Sequence, residues 1–128
     1  MKEPALSIVI PVYNEVRIVG AAVDELVRKL DALSFSDFEL ILTENGSTDG
    51  TVQVLEELAA RHGRVRFLHG DEPNYGRALK RGILEARGEI VLCDEIDLCD
   101  TDFYQRALPL LGTAAQPGVD LVVGSKAM

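Results

Sequence analysis

A doubly wound α/β fold, Rossmann-like in its winding, with a mostly parallel sheet of about five strands, is what this sequence predicts. Three observations carry the prediction. Runs of Val, Ile and Leu of strand length recur along the chain, as expected of strands buried on both faces. Between them stand stretches whose apolar residues repeat at helical spacing. The links are short, and alternating strands and helices with short links favour parallel pairing through right-handed crossovers.

The elements follow in order. Leu6-Ser7-Ile8-Val9-Ile10-Pro11-Val12 reads as a buried first strand, with Pro11 ending its ladder pairing. Asn14 suits the N-cap of a helix from about Glu15 to Leu33, with Val19, Val23, Leu26, Val27, Leu30 and Leu33 on its inner face. A second strand covers Phe38 to Thr43. The polar turn Glu44-Asn45-Gly46-Ser47-Thr48-Asp49-Gly50-Thr51 feeds a helix to about His62, with Val52, Leu55, Leu58 and Ala59 inward and Gly63 as its stop. Val65 to Leu68 is a short third strand. Asn74 opens a third helix, Tyr75 to about Arg87, with Leu79, Ile83 and Ala86 inward. Glu89 to Asp94 is the fourth strand, and Thr101 to Leu111 a helix that Pro109 shortens. Asp120 to Gly124 completes the set.

A chain of 128 residues with 47% apolar content supports one core and one domain, residues 1–128. The net charge of −8 disfavours nucleic acid and anionic membrane surfaces as partners. No stretch approaches a transmembrane span and no signal peptide is visible. Cys93 reads as a small core residue, and with Cys99 as a reduced thiol of a cytosolic protein. His62 and His69 lack metal-ligand spacing and read as a helix-end charge and a loop residue.

Chemistry concentrates where strands end. Ile90-Val91-Leu92-Cys93 runs into Asp94-Glu95-Ile96-Asp97, three carboxylates in four residues. Carboxylates so placed need a counter-charge. Strand alternation sets Glu95 and Asp97 on one side and Asp94 on the other. One reading makes Glu95 and Asp97 donors to Mg²⁺ or Mn²⁺ carrying a diphosphate; the other is a solvated loop capping the next helix through Asp100 or Thr101. The turn from Glu44 reads first as a turn with a helix cap, although Glu44 and Asn45 at its start invite a nucleobase. Gly76 permits close approach at the third helix, where Arg77 and Lys80, a turn apart, form either a phosphate clamp or a solvated basic face. No P-loop, GxGxxG or GxSxG motif is present.

Taken together, Ile10-Pro11-Val12-Tyr13-Asn14-Glu15, the turn Glu44 to Thr51, Asn74-Tyr75-Gly76-Arg77-Ala78-Leu79, Glu95-Ile96-Asp97 and Gly124-Ser125-Lys126 resemble the nucleotide-binding half of family 2 glycosyltransferases of the GT-A fold. The flavour is that of the dolichyl- or polyprenyl-phosphate sugar transferases. The resemblance implies that Pro11, Tyr13 and Glu15 line a nucleoside pocket and that Glu44 or Asn45 holds the base. It implies that Ser47, Gly76, Arg77 and Lys80 assist, and that Glu95 and Asp97 stand in the family's DxD metal site. The donor it implies is a UDP- or GDP-linked sugar. Where the family has paired Asp residues this chain has Glu44-Asn45, and where it has Asp this chain has Glu95. The catalytic base and acceptor site are expected beyond residue 128, either in a longer protein or from a partner chain or second copy. The expected setting is the cytoplasm, with peripheral attachment to a membrane as its variant. A catalytically silent nucleotide-binding or interaction module of the same fold is the alternative, and a receiver-like phosphoacceptor domain is disfavoured because its acids are not where that mechanism needs them.

Overall fold

The computed structural model describes residues 5–33, 37–97, 99, 101–111 and 118. The chain forms β1 (Leu6–Val12), α1 (Val19–Ala32), β2 (Phe38–Asn45), α2 (Thr51–Arg61), β3 (Val65–Gly70), α3 (Tyr75–Glu85), β4 (Ile90–Cys93) and α4 (Thr101–Ala107), then a 3-10 turn over Leu108–Leu110. The described strands are all parallel, in the order β3-β2-β1-β4. The fifth strand expected over Asp120 to Gly124 lies outside the described residues, as does Gly124-Ser125-Lys126.

Every residue of β1 and β2 is buried. Leu6, Ile8, Ile10 and Val12 turn to one face of the sheet, where they meet Val19, Val23, Leu26 and Leu30 of α1, Leu55 and Leu58 of α2, and Tyr104 of α4. Each such side chain contributes about 1.5–3 kcal/mol by leaving water. The apolar spacing expected for α1 and α2 selects their inner faces in part: Val27, Val52 and Ala59 are only half-buried, Leu33 lies at the surface, and Thr51 is buried on α2 instead.

The opposite face carries α3, and here the sequence misleads. Leu79, Ile83 and Ala86 were the expected inner positions, yet the buried ones are Ala78 and Gly82, and Ile83 is 42% exposed. Gly82 explains the rotation. A Cβ built on it would sit 2.7 Å from Thr43 Cγ2 and closer still to Val9 Cγ1, so the helix backbone lies directly on the sheet. Gly82→Ala gains about 1 kcal/mol of helix propensity. Overpacking against stiff Val9 costs about 1–3 kcal/mol, so a net loss in urea unfolding is the expected result. An unchanged or higher midpoint would show that the helix can lift off without cost.

Beneath the N-terminal end of that face lies a polar knot. Glu39 accepts hydrogen bonds from the Ser7 hydroxyl (2.6 Å), Arg66 Nε (3.0 Å) and the Arg87 backbone N–H (2.7 Å), while Ser7 Oγ accepts one from Gly88 N–H. Burial pushes the Glu39 carboxyl up, but these donors together hold it below its ordinary value.

Other expectations shift locally. Asn14 does not cap α1: its backbone is left-handed (φ 49°), and the helix starts at Val19 after a tight turn from Glu15. Gly63 does not stop α2 in a left-handed conformation, since His62 already leaves the helix extended. His62 meets Asp24 at 2.6 Å, whereas His69 belongs to β3 and not to a loop. Cys93, expected in the core, is exposed because β4 is an edge of the described sheet. Cys99 packs against the core, and burial, reinforced by the Asp94 charge, pushes its thiol up to about 12. Among the described residues no helix is long and apolar enough to cross a membrane.

Candidate functional site

In the order β3-β2-β1-β4 the chain winds outward one way from β1 and then reverses to β4. The crevice beyond the carboxyl ends of β1 and β4 is thus the switch point at which doubly wound sheets bind ligands. A cleft of about 490 Å³ opens there. Pro11, Tyr13 and Glu15 line it from the end of β1, and Asn45 from the end of β2. Pro73 and Tyr75 contribute from the start of α3, and Glu95, Ile96 and Asp97 from the segment after β4.

The loops that form its walls are bonded to one another. Asn14 N–H donates to Ser47 Oγ (2.9 Å), and Thr48 N–H donates back to Asn14 Oδ1 (2.8 Å). Glu15 N–H donates to Thr51 Oγ1 and Val16 N–H to Asp49 Oδ2. Asp49 also accepts from the Thr51 N–H and hydroxyl, starting α2; these bonds hold its carboxyl below the usual range. Asn45 spans the remaining gap, donating from Nδ2 to the Val12 carbonyl (3.0 Å) and accepting at Oδ1 from Asn74 N–H (3.1 Å). Gly46, at φ +76°, lets the turn press against Pro73, where a Cβ would come within 2.8 Å of the proline nitrogen.

The acidic segment departs from simple strand alternation. Strand β4 ends at Cys93, so Glu95 and Asp97 project from the turn that follows, and both still face the cleft. Ile96 between them is buried in the core, which anchors the turn. Asp94 accepts from the Tyr104 hydroxyl (2.5 Å) and the Glu95 N–H (2.8 Å), which directs it toward α4. Tyr75 lines the cleft together with Glu95 and Asp97, and its hydroxyl pKa is raised, first by burial and then by the charges of Glu95, Cys93 and Asp94.

Not every expected site residue reaches the cleft. Glu44 is fully buried, accepting from Ser47 N–H and paired with His69 Nδ1, and it lines a separate small recess behind the cleft. Of Glu44 and Asn45, only Asn45 stands on the cleft wall. Ser47 is engaged with Asn14, Arg77 lines the same recess as Glu44, and Gly76 and Lys80 are exposed on α3 without lining the cleft. Tyr75 and Pro73 were missed. A tyrosine directly after the capping Asn74 was the available signal, because a helix start at a strand's carboxyl end points at the crevice.

No group of three or more His, Cys, Asp or Glu among the described residues converges to hold a metal ion. Glu95 and Asp97 nevertheless fit the mode in which a hard cation takes one or two carboxylates and completes its shell with phosphate and water oxygens.

These features define a doubly wound α/β domain with an acidic cleft at its switch point. Residues 7–127 match the model of glycosyl transferase family 2, and the chain belongs to that family. It is 31% identical over 120 residues to the uncharacterized glycosyltransferase EpsJ of Bacillus subtilis, covering 93% of this chain and 33% of that protein. It is 33% identical over 119 residues to the undecaprenyl-phosphate 4-deoxy-4-formamido-L-arabinose transferase of Aeromonas hydrophila, covering 91% of this chain and 35% of that one. The chain thus spans about a third of the curated relatives it matches here. The mannosyltransferase PcManGT of Pyrobaculum calidifontis, solved in complex with GDP-Man and Mn²⁺, superposes with a TM-score of 0.67 at 22% identity, over 87% of this chain and 34% of that one. The fold is therefore that of GT-A glycosyltransferases, with four described strands against the five expected.

Proposed function

We propose that the cleft binds a nucleoside-diphosphate sugar, UDP- or GDP-linked, and that the protein transfers the sugar to an acceptor. The observation that carries this is the meeting of Pro11, Tyr13, Glu15 and Asn45 with Glu95 and Asp97 around one cleft. The first group offers an apolar and aromatic wall with polar edges, suited to a nucleoside. The second sets two acids on the same cleft, and this reading puts the diphosphate beside them. A diphosphate does not enter a cleft lined by Glu15, Glu95 and Asp97 unaided, because like charges repel in a partly desolvated site. Glu95 and Asp97 hold Mg²⁺ or Mn²⁺ in this reading; when bound, the cation offsets charge on the diphosphate as it leaves. Tyr75, beside the acids, orients the donor from the α3 side. A relative named as an undecaprenyl-phosphate sugar transferase, and a neighbour solved in complex with GDP-Man and Mn²⁺, support the donor class and a lipid-linked acceptor.

Calorimetric titration of the chain with UDP and GDP, each with Mn²⁺ and with chelator, tests the reading. Binding of one nucleotide that disappears on chelation is expected. Equal affinity with and without the cation would overturn the metal role, and no binding of either nucleotide would overturn the donor class. Binding without sugar transfer by the intact protein would identify a silent module.

A further inference from the structure

We propose that the outer face of α3 docks on an anionic lipid surface, a role that goes beyond donor binding and does not depend on it. The distribution of ion pairs motivates it. Arg28, Lys29, Arg61, Arg64, Arg66 and Arg106 each lie within 4.0 Å of a carboxylate. Among the described residues the cations without such a partner are Arg17, Arg77, Lys80, Arg81 and Arg87, and all but Arg17 lie on α3 or just beyond its end. Arg81 donates to the His69 carbonyl. Unpaired cations are thus gathered on one helix of a chain whose net charge is −8.

Burial of Ala78 and Gly82 against the sheet fixes which way that helix faces. Arg77, Lys80 and Leu84 follow one another at helical spacing on the outer side, with Ile83 beside them. Leu84 is 74% exposed and Ile83 42%. Of the acids nearby, Glu85 lies 4.0 Å from Arg66 and Asp71 3.6 Å from His69.

A basic helix face that also exposes large aliphatic side chains matches an interface with anionic headgroups above and acyl chains below. The aliphatics separate this partner from a nucleic acid, which would use the cations and leave Leu84 unsatisfied. The overall negative charge is no obstacle. Screening confines the interaction to about 8 Å at physiological salt, so a bilayer senses the cations it touches and not the acids on the far side of the sheet. Tyr75, at the start of the same helix, lines the cleft, so a surface lying along α3 borders the cleft mouth.

Cosedimentation with phosphatidylcholine vesicles, with and without phosphatidylglycerol, tests the proposal. Partition onto the anionic vesicles alone is expected, weakened by salt. Arg87→Gln weakens it about fivefold, the equivalent of about 1 kcal/mol per cation. Leu84→Ser weakens it about tenfold through lost apolar burial. Both side chains lie outside the cleft, so nucleotide titration of each variant reports on its fold separately. Equal partition onto neutral and anionic vesicles would overturn the proposal. So would undiminished vesicle binding by Leu84→Ser, or binding of double-stranded RNA that rivals the vesicles and ignores Leu84.

Discussion

Replacing Asp97 by alanine removes the cation-dependent part of nucleoside-diphosphate binding and leaves the unfolding midpoint unchanged. Asp97 is exposed, and among the described residues it makes no hydrogen bond or ion pair. Truncating such a side chain alters stability by no more than about 0.5 kcal/mol. Under the proposed metal role its effect on binding is far larger, because only Glu95 of the two proposed ligands would remain to hold the cation. Loss of residues that merely orient metal ligands costs about 10–100-fold, so loss of a ligand costs at least the upper part of that range. Calorimetry on the variant, with and without Mn²⁺, checks the effect. Affinities equal to those of the unaltered chain would remove Asp97 from the site.

The largest effect on stability comes from the opposite end of the sheet. Glu39→Ala strips one carboxylate from three donors at once, leaving the Ser7 hydroxyl, the Arg87 N–H and Arg66 Nε without their acceptor, while Arg66 keeps the Glu85 carbonyl at its other end. Breaking a buried charge pair from one side costs about 3–5 kcal/mol, and the partial exposure of Arg66 puts this case at the lower end. The same carboxylate gives the fold an acid limit. Its pKa is lowered on folding, so its stabilisation is fully present above the unfolded value near 4.5 and fades as pH falls through the folded one. Urea unfolding from neutral pH downward checks both statements. The unaltered chain loses stability below about pH 4.5, and the Glu39→Ala slope there is shallower. Parallel curves would place the acid sensitivity in other carboxylates.

Much of the fold was legible because burial on both faces imposes a composition on strands that no loop shares. Helix α3 was not, because its contact with the sheet is made by the absence of a side chain. Gly82 carries no hydrophobic signal, and Leu79 and Ile83 carry a strong one that points the wrong way. The cleft was legible as loops at strand ends, since Pro11, Tyr13, Asn45, Glu95 and Asp97 stand immediately after apolar runs. What sequence could not supply was pairing at a distance. Asn14 looks like a cap until Ser47 and Thr48 are found beside it. Glu44 looks available to a ligand until His69, from the neighbouring strand, closes over it.

The bonds between the Asn14–Val16 and Ser47–Thr51 stretches bear on how quickly a ligand is received. Those bonds lie within the chain itself, so in the proposed donor binding little ordering of loose chain would oppose contact. Severing the stitches, for example by exchanging Asn14 and Ser47 for alanine together, leaves the acids in place and slows arrival at the cleft, a difference that stopped-flow mixing separates from a change in departure.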